Sequence, residues 1–200
     1  MRMKMKKGFI LLLCLSFLVA CTPDTNQLNP KEMCSLIQHE KSEVFEKLNV
    51  EEDSLLIEDG YYYLPEKMSY AGYEYEIGFY FDEEDKLCRV GYRHWFESGD
   101  HLEDGLKAME VLVQQMEQDF GDNWNYPASP TLYSGQNDPI KTIDQYGWLR
   151  DDWLVDEENS VWVFANINKW DGSKTKVSVT ITYDPRMSNP RELMEQNFGE

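Results

Sequence analysis

The sequence predicts an α+β fold, with helical segments packed on antiparallel sheet in the order helix, hairpin, helix, hairpin, short helix. Three observations predict it. Pro30–Leu48 and Leu102–Phe120 carry apolar residues near the helical period. Tyr73–Asp82 with Leu87–Phe96, and Ser160–Asn168 with Thr175–Tyr183, alternate apolar and polar residues as half-buried strands do. Each strand pair is joined by a short polar turn, which admits a hairpin but not a parallel crossover.

The chain opens on a leader. Arg2, Lys4, Lys6 and Lys7 form a positive start, and Phe9–Leu18 is an apolar run. That run is well short of the roughly 20 residues a membrane-spanning helix needs. Leu18-Val19-Ala20-Cys21 closes it. A basic start, a short apolar run and a small-residue end are the parts of a cleaved signal peptide. The four-residue stretch resembles the lipobox of bacterial lipoproteins. The resemblance implies cleavage before Cys21, a diacylglycerol on its sulfur, and a further acyl chain (palmitate or similar) on its amine. It places the protein on the cell membrane or outer membrane, facing outside the cytoplasm and held by lipid. Thr22 stands where an Asp would signal inner-membrane retention in a two-membrane cell.

Charge narrows the partners. The chain has 19 basic and 37 acidic residues, a net −18. Four of the basic residues belong to the leader, so 15 face 37 beyond it, a net −22. Such a chain is repelled by phosphates, and nucleic acid is excluded as a partner. Membrane contact then comes from the lipid, because no basic patch follows Cys21. Residues 21–28 read as a lipidated cysteine with a polar tether, and 29–200 as one ectodomain with halves at about 29–98 and 99–200. Aromatics make up 14% of the chain, which is the composition of a packed domain and not of an acidic disordered tail.

Asn29-Pro30-Lys31-Glu32 is a helix start: Asn caps, Pro presets the first turn, and Glu follows three residues after the cap. Ser42 offers a second cap, dividing Pro30–Leu48 in two. Tyr61–Leu64 reads as a strand. In the first hairpin a four-residue loop, Glu83–Lys86, pairs Phe81 with Cys88, Phe79 with Val90 and Ile77 with Tyr92. The other face then sets Glu76 by Arg93 and Tyr80 by Arg89.

Leu102, Leu106, Met109, Leu112, Val113, Met116 and Phe120 form one helical stripe, capped by Asp100 with Glu103 and ended by Gly121. Asn123–Tyr146, with three prolines, reads as irregular. A strand follows at Trp148–Val155. In the second hairpin a three-residue loop, Trp170-Asp171-Gly172, pairs Val161, Val163 and Ala165 with Ile181, Val179 and Val177. Asn189-Pro190-Arg191-Glu192 repeats the first helix start and predicts a last helix to about Asn197. This element order resembles the tandem helix-plus-sheet folds of β-lactamase-inhibitor-like proteins and small outer-membrane-assembly lipoproteins. That resemblance implies a protein-binding module.

Chemical motifs are sparse. His39, His94 and His101 with Glu97, Asp100, Glu103 and Asp104 lack metal-ligand spacing. Asp82–Asp85 lacks the glycine of a calcium loop and reads as a charged hairpin tip, as do Asp151-Asp152 and Asp156-Glu157-Glu158. No nucleophile elbow, P-loop or dinucleotide glycine pattern occurs. No catalytic residue, metal or cofactor is assigned. Cys34 and Cys88 either bridge outside the cytoplasm or remain buried thiols.

The aromatics are the sharpest feature. Tyr80, Trp95, Trp162 and Phe164 are the candidate binding patch, with Trp162 and Phe164 on the face opposite the valines. They form an exposed contact surface, or else the long loop covers them. The expected function is a non-catalytic binding or interaction domain for a protein or small-molecule partner. The alternatives are an envelope carbohydrate-acting enzyme using acidic residues, and a structural accessory of an envelope complex.

Overall fold

The computed structural model describes residues 28–97, 100–122, 138–156, 160–170 and 173–184. The leader with Cys21, the helix expected from Pro190, and Gly172 lie outside these residues. In chain order the elements are α1 (Pro30–Cys34), α2 (Lys41–Leu48), β1 (Leu56–Glu58), β2 (Tyr61–Tyr63), β3 (Met68–Tyr70), β4 (Tyr73–Phe81) and β5 (Leu87–Phe96). They continue with α3 (His101–Phe120), α4 (Pro139–Tyr146), β6 (Trp148–Asp156), β7 (Val161–Lys169) and β8 (Thr175–Tyr183). The fold is α+β. All eight strands join one antiparallel sheet, ordered β1-β2-β4-β5-β8-β7-β6, with β3 on the half of β4 that β2 leaves open. The two hairpins are thus one surface, joined by β5 and β8 from Arg89↔Thr182 to Phe96↔Thr175.

Local chemistry explains the helix ends. The Asn29 side chain accepts from the Glu32 N–H at 3.0 Å, and Pro30 opens α1. Helix α2 starts after Glu40, not at Ser42, because the preceding turn is tied to the sheet. Gln38 donates its N–H to Leu87 O at 2.7 Å, and Leu87 donates back to His39 O at 2.9 Å. Asp100 stands at the α3 cap but its side chain makes no cap bond; its carbonyl accepts from Asp104 N–H. Gly121, at φ 83°, ends the helix. Helix α4 falls within the stretch read as irregular. It carries the signal found at Asn29-Pro30: Asp138 accepts from Ile140 N–H at 3.0 Å, Pro139 opens the helix, and Gly147 closes it in the left-handed conformation. Leu28, assigned to the tether, is buried, and its carbonyl accepts from Tyr92 Oη at 2.7 Å.

The first hairpin keeps the expected register at Glu76↔Arg93, Ile77↔Tyr92, Phe79↔Val90 and Tyr80↔Arg89, then shifts. Phe81 faces Leu87, not Cys88. The cause is Asp82, whose carboxylate accepts from both Glu84 and Lys86 N–H at 2.9 Å and closes a longer turn. The second hairpin differs from expectation by two residues: Val163 meets Ile181, Ala165 meets Val179, and Ile167 meets Val177. Lys169 accordingly pairs with Thr175, and Trp170 N–H bonds Lys174 O at 2.9 Å. A slip of two keeps every side chain on its face, so alternation alone does not select between the two registers.

One sheet face carries the core. Tyr75, Ile77, Phe79, Val90, Tyr92, Val163, Val179 and Ile181 are fully buried there, and Met109, Leu112, Val113 and Met116 of α3 are buried with them. Phe45 of α2 packs edge-on against Tyr62, Phe79 and Phe81 on the same face. Helix α3 comes close at Gly105, where a Cβ would stand 2.6 Å from Thr175 Cγ2. Losing a buried ring such as Phe79 to Ala would cost about 3–5 kcal/mol.

Candidate binding face

Because side chains alternate along strands, the register defines the opposite, outer face row by row. One row runs Tyr61, Tyr80, Arg89, Thr182, Trp162. The next runs Tyr63, Gly78, Gly91, Thr180, Phe164. Then come Glu76, Arg93, Ser178, Asn166, and finally Trp95, Lys176, Asn168. The four residues of the expected patch therefore share this face but not one surface. Tyr80 is 38% exposed and Trp95 half-buried. Trp162 is only 1% exposed.

Of the two alternatives for Trp162, exposed or covered, the structure takes the covered one, and Trp162 leaves the candidate patch as burial deepens toward β6. Trp162 stacks on Phe164 with centroids 6.4 Å apart, and the Arg150 guanidinium lies 3.6 Å from the Phe164 ring. Ser178, Thr182 and Asp152 on the same side are buried. Asp151 and Asp152 are not a charged tip either: they lie mid-strand in β6 and are buried, Asp152 in an ion pair with Arg150 Nε.

The accessible half is built on β2, β4 and β5. Tyr61 stacks beside Tyr63 at 5.9 Å and meets Tyr80 at 5.2 Å. The Arg93 guanidinium lies 4.2 Å over the Tyr63 ring, gives Nε to Glu76 at 2.7 Å and bonds Tyr63 Oη at 3.0 Å. Burial alone would raise the Glu76 pKa; the hydrogen bond and charge of Arg93, with Lys67, outweigh it and hold the carboxyl below its ordinary range. Arg89, exposed, reaches Tyr61 Oη at 3.2 Å. Beyond Arg93, Trp95 meets Trp170 edge-on at 5.6 Å with Lys176 over both rings. This arrangement offers stacking surfaces and cations held in place by neighbours, the equipment of a binding surface.

Arg89 and Arg93 were legible as partners of Tyr80 and Glu76, but their grouping with Lys176 and Trp170 was not, because it depends on β5–β8 pairing. The remaining candidates lie elsewhere. Cys34 and Cys88 are free thiols with separate partners, Cys34 Sγ on Pro30 O and Cys88 Sγ on Tyr80 O. Burial pushes the Cys34 thiol up to about 12. His39 meets Glu43, His94 meets Glu74 O, and His101 meets Thr175 Oγ1. Among the described residues no three His, Cys, Asp or Glu side chains converge as a metal site. No described helix is long and apolar enough to cross a membrane. A shallow depression of about 550 Å³ lies beside α2, lined by His39, Glu43, Glu46 and Lys47. The chain matches no protein-family model, no curated protein and no solved structure.

Proposed function

We propose that this protein is a lipid-anchored envelope lipoprotein whose single ectodomain binds a partner on the outer face of its sheet. The anchor rests on the Leu18–Cys21 lipobox resemblance. The binding role rests on one observation above all: in a chain of net charge −18, Tyr61, Tyr63, Tyr80, Arg89 and Arg93 are gathered on an accessible sheet face. Aromatic and arginine side chains are the residues most enriched in binding hot spots. Part of the ring surface is already held by neighbouring contacts, so little side-chain entropy remains to be lost on binding.

The tandem arrangement belongs to the same proposal. Helices α1 and α2 precede β1–β5, and α3 and α4 precede β6–β8, which supports two helix-plus-sheet halves merged into one module.

Two experiments test it. Cys21→Ala should block lipidation and release the protein from membranes; unchanged membrane retention removes the anchor from the proposal. A photo-crosslinking residue placed at Tyr80 or Trp95 in intact cells should capture one partner in near-equal amount. Capture that survives Tyr61→Ala and Arg89→Ala together would move the binding surface elsewhere.

A further inference from the structure

Lys176 is set apart from most lysines of this acidic chain. Lys41 pairs with Glu52 at 3.1 Å and Lys169 with Asp144 at 2.7 Å, as surface lysines here generally do. Lys176 has no carboxylate partner among the described residues. Its ammonium lies 5.7 Å from the Trp95 ring and 5.3 Å from the Trp170 ring, in the corner those rings form at 88°. Burial, then the charge of nearby Arg93, hold it below the ordinary lysine range. A two-tryptophan corner suits a cation, but the protein's own ammonium already fills it. A second cation would meet repulsion there, and among the described residues no carboxylate compensates the positive charge beside Trp170, which is 63% exposed. Glu97, on the rim, is paired with Lys174 at 2.8 Å.

We infer that the Trp95–Trp170–Lys176 corner binds a ring that carries a carboxylate, the carboxylate pairing with the Lys176 ammonium and the ring stacking on Trp170. This rests on the reading of the outer face as a binding surface and names its ligand chemistry. The repulsion of the distant acidic residues is screened over about 8 Å at physiological salt. A ligand with one charge meets the local field of Lys176, whereas a polyanion would span the acidic surround. Sugar acids and aromatic acids both present this chemistry.

The test titrates the full chain in detergent with sodium glucuronate and sodium benzoate, and with glucose and benzamide as neutral counterparts. Indole N–H chemical shifts report the binding. At least one acid should bind tenfold or more tightly than its neutral counterpart, with the advantage shrinking as salt rises; which acid it is distinguishes the two sources. Lys176→Met keeps the stem and removes the charge, so it should bring the acid to the level of the neutral compound. Trp170→Ala should abolish both while leaving the melting temperature unchanged, because Trp170 is exposed. Equal binding of acid and neutral compounds, no binding of any of the four, or no change on Lys176→Met overturns the inference. If it fails while crosslinking at Tyr80 still captures a partner, the wider binding role stands; if both fail, both are withdrawn.

Discussion

The ring of Tyr63 rests on Gly78: a Cβ at position 78 would stand 2.6 Å from Tyr63 Cε1 and 2.9 Å from Cδ1. One strand over, a Cβ at Gly91 would meet nothing within 4 Å. The two glycines are direct neighbours across β4 and β5, yet only one is required. Gly78→Ala should therefore cost about 1–3 kcal/mol by displacing the ring and the Arg93 stacked on it. Gly91→Ala should be neutral or stabilising, since glycine weakens strand interiors. Urea unfolding of the two variants checks the contrast, and equal midpoints would contradict it.

Tyr70 ties β3 to the end of α3. Its phenol donates to Asp119 Oδ2 at 2.6 Å, while Gln115 Nε2 donates to the other carboxylate oxygen. Burial, then the Asp119 hydrogen bond and charge, raise the phenol above its ordinary range, so it remains a donor at physiological pH. Tyr70→Phe should lower stability by about 1–2 kcal/mol, the range for removing a hydrogen bond to a charged group that keeps another donor. A denaturation midpoint unchanged from the parent would show that this tie carries no stability.

The two cysteines should differ in reactivity. The thiolate is the nucleophile, and the Cys34 thiol at about 12 is almost wholly protonated at pH 8. Cys88 is also raised, first by burial and then by Asp82, but it is half-buried on a strand. Iodoacetamide at pH 8 should label Cys88 at least tenfold faster than Cys34 in the native state, with equal labelling in urea. Peptide mass spectrometry reads the ratio, and a linked Cys34–Cys88 peptide would refute the free-thiol state.

The Glu76–Arg93 pair predicts a specific pH dependence. Glu76 is held below its ordinary 4.5, so its contribution is complete above that value and is lost as pH falls through the depressed folded value. Both side chains are about one-third exposed, which limits the contribution to about 0.5–1 kcal/mol. Glu76→Gln should be less stable than the parent at pH 7 by that amount, and the gap should close on acidification below the Glu76 transition. A gap that persists at pH 2 would point to packing and not to charge.

Much of the chain was legible because its signals are local. The α3 stripe includes the buried Met109, Leu112 and Met116, and Asn29-Pro30 does cap a helix. The same capping chemistry stood at Asp138-Pro139, but α4 is only Pro139–Tyr146 long, too short for its period to show within a proline-bearing stretch. Strand β3, three residues long, escapes alternation for the same reason.

What the amino-acid sequence determined by itself was therefore the helices with strong periods, the strands with clear alternation, the face each of their side chains takes, and the repulsion of polyanions. Those follow from neighbours a few residues apart and from charge, which needs no fold. Only the tertiary structure decided the joining of the hairpins through β5 and β8, the two-residue register of β7 on β8, and the burial of Trp162, Asp151 and Asp152. It alone brought Trp95, Trp170 and Lys176 into one corner. The physical reason is that alternation defines a strand's face but leaves its partner and its register in steps of two undetermined. Turn chemistry and the packing of α3 over the shared sheet make that choice.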